Sequence, residues 1–186
     1  MTILQVYLMP RFDRSYFNFG EGDMYATGLY LTDYLNTVCS GVTGFDSADL
    51  HWEGSASSVR DTDLVCYVLA DQSRSIVARH SSDPLGGGGS TVWSTRANAM
   101  ISEVYMMAVE GDASRSRLLA NLIFHELMHN KLDSHPTHSI LPDVHAIPNG
   151  RLSRIPVNSS MRPSDADVAA MRRGIRTSMP QYTGSF

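Results

Sequence analysis

Residues 125–135 read HELMHNKLDSH, so His125 and His129 lie four positions apart and a third histidine, His135, follows six positions later. In a helix, residues four apart share one face and are separated by about one turn. Two imidazoles at that spacing can bind a single metal ion. Zinc in catalytic sites takes three protein ligands and leaves a fourth position for water. The segment therefore predicts a three-histidine Zn²⁺ site formed by His125, His129 and His135.

The residue directly after the first ligand is Glu126. Its side chain points to a neighbouring part of the helix surface, beside the metal rather than onto it. A carboxylate in that position can act as a general base toward a metal-bound water, whose pKa zinc lowers to about 7. The pattern predicts hydrolysis of an amide bond, with Glu126 as the catalytic residue.

The segment that precedes the histidines predicts a buried helix. Asp112 and Ser114 are of the residue types that cap helix starts. A helix that is apolar nearly all round packs inside a protein. The apolar positions around the two histidines are Leu118, Leu119, Leu122, Ile123, Phe124 and Leu127.

The four residues of this motif resemble the metzincins, zinc metalloproteases that carry H-E-x-x-H-x-x-G-x-x-H and, downstream, a methionine-containing Met-turn. Residues 158–171, NSSMRPSDADVAAM, resemble the Met-turn and the C-terminal helix of that clan. The resemblance implies that Met161 lies beneath the zinc site. Taken alone, the segment predicts an amphipathic helix beginning near Ser164, and Met161 as a residue that fills a gap in the core.

One position departs from the family pattern, because the glycine of the motif is replaced by Leu132. That glycine turns the chain with a φ that costs other residues about 1 kcal/mol or more. Asn130 or Asp133, which tolerate left-handed conformations better, would have to make the turn. His135 is the expected third ligand, and Asp133 and His138 are the alternatives.

The remaining sequence predicts a single α/β (α+β) domain over residues 1–186, with a mixed, mostly parallel twisted sheet, a central zinc-binding helix and a C-terminal helix. The order of elements is that of the upper subdomain of metzincins, which implies an upper subdomain at about 1–131 and a lower one at 132–186. The predicted elements are a strand at 2–9, a helix at 22–38 ending at Gly41, and strands at 48–53, 63–70, 91–94 and 101–109.

Two segments would shape a cleft. The run Gly86–Ser90 predicts a rim loop that breaks regular structure. The strand at 91–94 would then form a sheet edge to which an extended substrate adds by main-chain hydrogen bonds, as the family resemblance implies. The resemblance also assigns the proline-rich residues 136–160 to the wall of the pocket for the primed side of the substrate.

Composition limits the partners. Of the 186 residues, 42% are hydrophobic and 18% are charged, as in ordinary globular domains, and no apolar stretch reaches the roughly 20 residues of a membrane span. The net charge of −4 argues against nucleic acid as a partner. Cys39 and Cys66 are too few for a thiolate zinc site, and buried thiols are favoured over a single disulfide. His51 and His80 are expected to be surface or hydrogen-bonded structural residues.

The expected partner is a protein or peptide substrate, and an inhibitor or immunity protein is a further candidate partner. The N-terminus lacks a basic leader, which motivates the hypothesis of a toxin or effector domain delivered by a specialised system and leaves localisation open. The alternatives are a non-catalytic zinc-binding relative that acts as a binding module, and a three-histidine metal-dependent endoribonuclease. That second family lacks the glutamate after the first histidine, so Glu126 favours the peptidase.

Overall fold

A five-stranded sheet with helices on its faces organises the chain, as seen in a computed structural model that describes residues 3–39, 45–52, 59–83, 85, 87–131, 146–147, 151–152 and 179–184. The strand order is β2-β1-β3-β5-β4. Strand β1 runs parallel to β2 and β3, β3 runs parallel to β5, and β4 pairs antiparallel with β5. The strands are β1 (Ile3–Arg11), β2 (Ser47–Trp52), β3 (Leu64–Leu69), β4 (Gly89–Ser94) and β5 (Ala99–Tyr105). The prediction of a mixed, mostly parallel α/β sheet is confirmed.

Three helices accompany this sheet in the described part of the chain: α1 (Glu21–Cys39), α2 (Val77–His80) and α3 (Arg115–Lys131). Helix α1 begins where the Gly20 N–H donates to Asp23 Oδ2 at 3.0 Å, the reciprocal half of a capping box. The same carboxylate accepts at 2.7 Å from Nη2 of Arg115, which is the first residue of α3. One acidic residue therefore joins the starts of the two long helices, which pack against each other.

Apolar side chains form separate cores on the two faces of the sheet. Strand β3 is buried along its whole length, as its continuous apolar run predicts for a central parallel strand. Full burial of each large apolar side chain is worth about 1.5–3 kcal/mol. The core beneath α1 and α3 includes Val6, Leu8, Leu31, Leu35, Val104, Leu119, Ile123 and Leu127. The opposite core, beneath α2, includes Met9, Val65, Tyr67, Ile76, Val77, Ile101 and Tyr105.

The predicted strands are observed, with one correction at the end of β5. The predicted strand 101–109 begins earlier, at Ala99, and ends at Tyr105, and Met106–Ala108 form a 3₁₀ turn. Tyr105 pairs with Leu69, the last residue of β3. Beyond that pair, the Met107 N–H donates once more across the sheet, to Ala70 O at 3.0 Å, and the Val109 N–H then donates to Met106 O at 3.0 Å within the turn. The strand stops because its neighbour does.

A second correction concerns the glycine run, since Gly89 and Ser90 belong to strand β4 rather than to a loop. A Cβ at Gly89 would lie 2.6 Å from Glu103 O and 2.9 Å from Glu126 Cγ. One at Gly88 would lie 2.7 Å from Leu122 Cδ2. Because these two glycines have no side chain, α3 can lie close against the sheet edge.

Two structural features escaped the sequence prediction. A 3₁₀ turn at Gln72–Arg74 and the four-residue helix α2 are too short to show a hydrophobic period. Gln181 forms an isolated parallel bridge with Met100, where the Met100 N–H donates to Pro180 O and the Tyr182 N–H donates to Met100 O. The segment 179–184 is thereby attached to the start of β5.

The structure describes little of the predicted lower subdomain. Two short strands, β6 (Ala146–Ile147) and β7 (Arg151–Leu152), pair antiparallel there. The predicted helix end at Gly41, the end of the strand at Glu53, and the helix that follows Met161 lie outside the described residues. Among the described helices, none is both long and apolar enough to cross a membrane.

Candidate metal centre

Helix α3 brings the first two predicted ligands together. The Nε2 atoms of His125 and His129 are 2.9 Å apart, and the two rings meet edge to face with centroids 4.5 Å apart. Two nitrogens bound to one tetrahedral zinc at about 2.0–2.1 Å are separated by about 3.3 Å. The two imidazoles therefore fit a shared zinc ion after a shift of a few tenths of an ångström. His125 is only 7% exposed and His129 is partly exposed, so the pair lies at the boundary between the core and the surface.

The third ligand cannot be compared with the prediction. His135 and its alternatives, Asp133 and His138, lie outside the described residues, as do Leu132 and Met161. Within the ranges that the structure describes, no group of three or more His, Cys, Asp or Glu side chains is placed to hold a metal ion. The described part of the predicted site is a pair of histidines on one helix.

Helix α3 is buried, as the sequence predicts, so His125 and His129 lie on a helix surrounded by apolar side chains. Leu119, Ile123 and Leu127 are fully buried against the sheet and α1. At its start, Ser114 O accepts from the N–H groups of Arg117 and Leu118, and Asp112 Oδ1 accepts from the Ser114 N–H at 2.7 Å. Asp112 and Ser114 thus form the predicted helix start, and a buried helix carries the histidines.

Glu126 lies on the side of α3 that faces strand β4 and is 5% exposed. Its Oε2 accepts a hydrogen bond from Thr91 Oγ1 at 2.7 Å, while its Oε1 lies where a Cβ on Gly89 would approach to 2.9 Å. Burial raises the pKa of Glu126 to about 8, the Thr91 hydroxyl opposes that shift, and the carboxyl of Glu103 adds to it. The metal-free protein therefore keeps this carboxyl mostly protonated at neutral pH.

Strand β4 lies at one end of the sheet order, which confirms the predicted edge position of residues 91–94. Thr91 faces Glu126, whereas Trp93 on the same strand is 38% exposed. Strand β4 also packs against α3. The Thr91 side chain thus connects the edge strand to the buried carboxyl of Glu126.

A second buried carboxyl, Glu103 on β5, occupies the opposite face of the sheet. Its Oε2 accepts from the N–H groups of Ile76 and Val77 at 2.7 and 3.2 Å, at the start of α2. Its Oε1 accepts from the hydroxyl groups of Ser75 and Tyr105. Burial, followed by the Glu103 carboxyl, raises the pKa of Tyr105, so the phenol keeps its proton and donates it. Glu103 is a structural anchor for α2.

The other candidate residues have structural surroundings, as expected. Cys39 and Cys66 are buried thiols rather than a disulfide, and burial with the nearby carboxyls raises the pKa of Cys66 well above its usual value. The His51 ring stacks on Tyr7 and bonds to the side chain of Gln5. His80 packs against Tyr182.

Sequence reasoning did not identify Thr91 as a partner of Glu126. The residues are 35 positions apart, and a threonine in an edge strand carries no motif. The available signal was the glycine run just before it, since glycines before an edge strand permit close approach of another element.

Neither a protein-family model nor a curated protein nor a solved structure matches this chain.

Proposed function

We propose that the protein is a zinc-dependent metalloendopeptidase, with His125, His129 and His135 as metal ligands and Glu126 as the catalytic base. The observation that carries the proposal is the pairing of two histidine Nε2 atoms 2.9 Å apart with a buried carboxyl one residue away. A structural zinc site needs the ligands but has no need of an adjacent base, whereas hydrolysis needs both.

The arrangement of elements supports the finer proposal of a metzincin-like fold. Apart from the short helix α2 between β3 and β4, the chain order β1, α1, β2, β3, β4, β5, α3 agrees with the order expected for the upper subdomain of that clan. The edge position of β4 agrees with a cleft that runs beside α3. Residues 132–186 would then supply the third ligand, the Met-turn at Met161 and the C-terminal helix.

In the proposed reaction, Glu126 accepts a proton from the attacking water and later returns it to the leaving amine. The bound zinc would act as a Lewis acid that lowers the pKa of the water and polarises the scissile carbonyl, and its charge would favour the ionised form of the neighbouring carboxyl. The low exposure of Glu126 and His125 keeps bulk water away and strengthens electrostatic interactions. An extended peptide would be bound along the outer edge of β4.

The first test is the zinc content of protein purified without chelator or added metal, measured by elemental mass spectrometry. We expect about one zinc per chain, lost in His129→Ala and His135→Ala. His51→Ala, which removes a histidine stacked on Tyr7, serves as the control and should retain the metal. Retention in His135→Ala with loss in Asp133→Ala or His138→Ala would reassign the third ligand.

The second test separates catalysis from binding. Glu126→Ala should keep the zinc and lower the rate of cleavage of a peptide library by about 10²- to 10⁴-fold. Cleavage at the wild-type rate would contradict the assignment of Glu126. Zinc-loaded wild-type protein that cleaves no peptide would favour the binding module, and cleavage of RNA would favour the endoribonuclease.

A further inference from the structure

A continuous set of polar side chains, buried except for the partly exposed Thr91, links Glu126 to the segment 179–184. Thr91 Oγ1 lies 2.7 Å from Glu126 Oε2 and 3.1 Å from Ser102 Oγ. Ser102 Oγ accepts from Asn130 Nδ2 at 2.8 Å. Asn130 and Gln181 form a reciprocal amide pair, with N···O distances of 2.9 and 3.0 Å. Ser102, Asn130, Gln181 and Glu126 are all buried.

The number of protons on these polar groups fixes which group donates in each hydrogen bond when Glu126 is ionised. The Asn130 amide has two N–H groups, one for Gln181 Oε1 and one for Ser102 Oγ. Thr91 has one hydroxyl proton, and the carboxylate at 2.7 Å is its strongest acceptor. The contact between Ser102 and Thr91 must then use the proton of Ser102. Donors therefore run from Asn130 through Ser102 and Thr91 to Glu126 Oε2.

The two oxygens of Glu126 have different surroundings. Oε2 is held by Thr91, whereas Oε1 lies beside Gly89, where a Cβ would approach it to 2.9 Å. A glutamate has a flexible side chain, and a general base must be held within hydrogen-bond reach of the proton that it accepts. Fixing one oxygen leaves the other in a defined place.

From these contacts we propose that Thr91 is the positioning residue for Glu126, and that Ser102, Asn130 and Gln181 orient its hydroxyl. This rests on the proposed peptidase function. Glu126 Oε1 then accepts the proton as the O–H bond of the attacking water breaks, and the water oxygen bonds to the carbonyl carbon. Throughout this step Thr91 keeps its hydrogen bond to Oε2. Because Thr91 belongs to the edge strand, a substrate bound along β4 lies next to the residue that orients the base.

The test compares Thr91→Val, which keeps the β-branched shape and removes the hydroxyl, with Thr91→Ser, which restores the hydroxyl. We expect Thr91→Val to lower kcat about 10- to 100-fold while KM changes less than about 3-fold, and Thr91→Ser to recover most of kcat. Zinc affinity, measured by chelator competition, should stay within about 3-fold in both variants, since the hydrogen bonds of Thr91 in the described part of the chain go to Glu126 and Ser102 and not to His125 or His129.

A readout without turnover comes from urea unfolding of the metal-free protein. Thr91→Val should lower the unfolding midpoint in the wild-type background, and lower it less in the Glu126→Leu background, where its carboxyl partner is gone. An equal loss in both backgrounds, an unchanged kcat in Thr91→Val, or equal kcat defects in Thr91→Val and Thr91→Ser would overturn the positioning role while the peptidase stands. Wild-type protein that binds no zinc and cleaves no peptide would instead overturn the proposed function, and the catalytic role of Thr91 with it.

Discussion

Glu103 and Glu126 are both buried glutamates, on opposite faces of one sheet, and they differ in the hydrogen-bond donors that contact their carboxyl groups. The Glu103 carboxylate accepts from two backbone N–H groups and two hydroxyl groups. In the part of the chain that the structure describes, the Glu126 carboxylate accepts from the Thr91 hydroxyl. Several donors offset the cost of ionising a buried carboxyl, whereas ionising one that has a single donor is costly unless a cation lies beside it. The comparison supports the proposal that Glu126, rather than Glu103, is the catalytic base.

The largest difference between the two should appear when each is replaced by leucine. Glu103→Leu leaves four buried donors without their acceptor and should lower the free energy of unfolding by about 3–5 kcal/mol. Glu126→Leu leaves only the Thr91 hydroxyl without its carboxyl acceptor. This hydroxyl can donate instead to the backbone oxygen of residue 126, which lies 3.0 Å away, so the metal-free protein should be as stable as wild type or more stable. Urea unfolding at neutral pH measures both.

Glu103→Gln is the matched control for that experiment. Its amide oxygen can still accept from the N–H groups of α2, so its loss should be smaller, about 1–2 kcal/mol. Equal losses for Glu103→Leu and Glu126→Leu would remove the distinction between anchor and reactive carboxyl.

A smaller effect should appear as a pH dependence of the stability of the metal-free protein. Burial raises the pKa of Glu126 from 4.5 to about 8, so the folded state favours its protonated form. The resulting stability is fully present below the unfolded value and is lost as the pH rises through about 8. Glu126→Gln lacks this titration, and its advantage over wild type should grow by about 4 kcal/mol between pH 5 and pH 9.

Urea unfolding of both proteins across that range measures the difference. Glu110→Gln, which changes an exposed glutamate, is the control and should follow wild type at each pH. A constant difference between Glu126→Gln and wild type from pH 5 to 9 would contradict the burial of an ionisable carboxyl.

The smallest effect is expected at a third carboxyl, Asp23, which is partly exposed and well paired. Its hydrogen bond with Arg115 is the largest influence that lowers its pKa, and the Gly20 N–H and the Ser116 hydroxyl act in the same direction. Asp23→Asn should cost about 1 kcal/mol near neutral pH. Because the folded pKa is lowered, this contribution is present above the unfolded value of 3.8 and is lost as the pH falls through the folded value.

Thermal unfolding at pH 7 and at pH 3 checks this expectation. Glu21→Gln, an exposed acid in the same first turn of α1, provides the control and should change stability by less than about 0.5 kcal/mol. A cost for Asp23→Asn that is as large at pH 3 as at pH 7 would show that the loss has another cause than the ion pair.

Much of the fold was predictable because its elements are long and strongly patterned. The apolar run of β3, the helix α1 and the buried helix around the histidines were each placed within a few residues of where they lie. The end of β5 was not, because a strand ends where its partner ends and sequence does not show the register. The glycines at the start of β4 were taken for a loop, because a requirement for close approach leaves no periodic pattern.

By itself, the sequence determined the chemistry of the candidate site: two histidines one helical turn apart, a carboxyl between them, and an apolar helix that must be buried. These properties depend on residues within one turn, whose relative positions helix geometry fixes. Only the tertiary structure decided that Glu126 faces β4, that Thr91 holds one of its oxygens, and that Glu103 is a saturated anchor on the other face. Apart from the bond between Glu103 and the nearby Tyr105, those contacts join residues 26 to 35 positions apart, and they depend on how the helices and the sheet pack rather than on any local pattern.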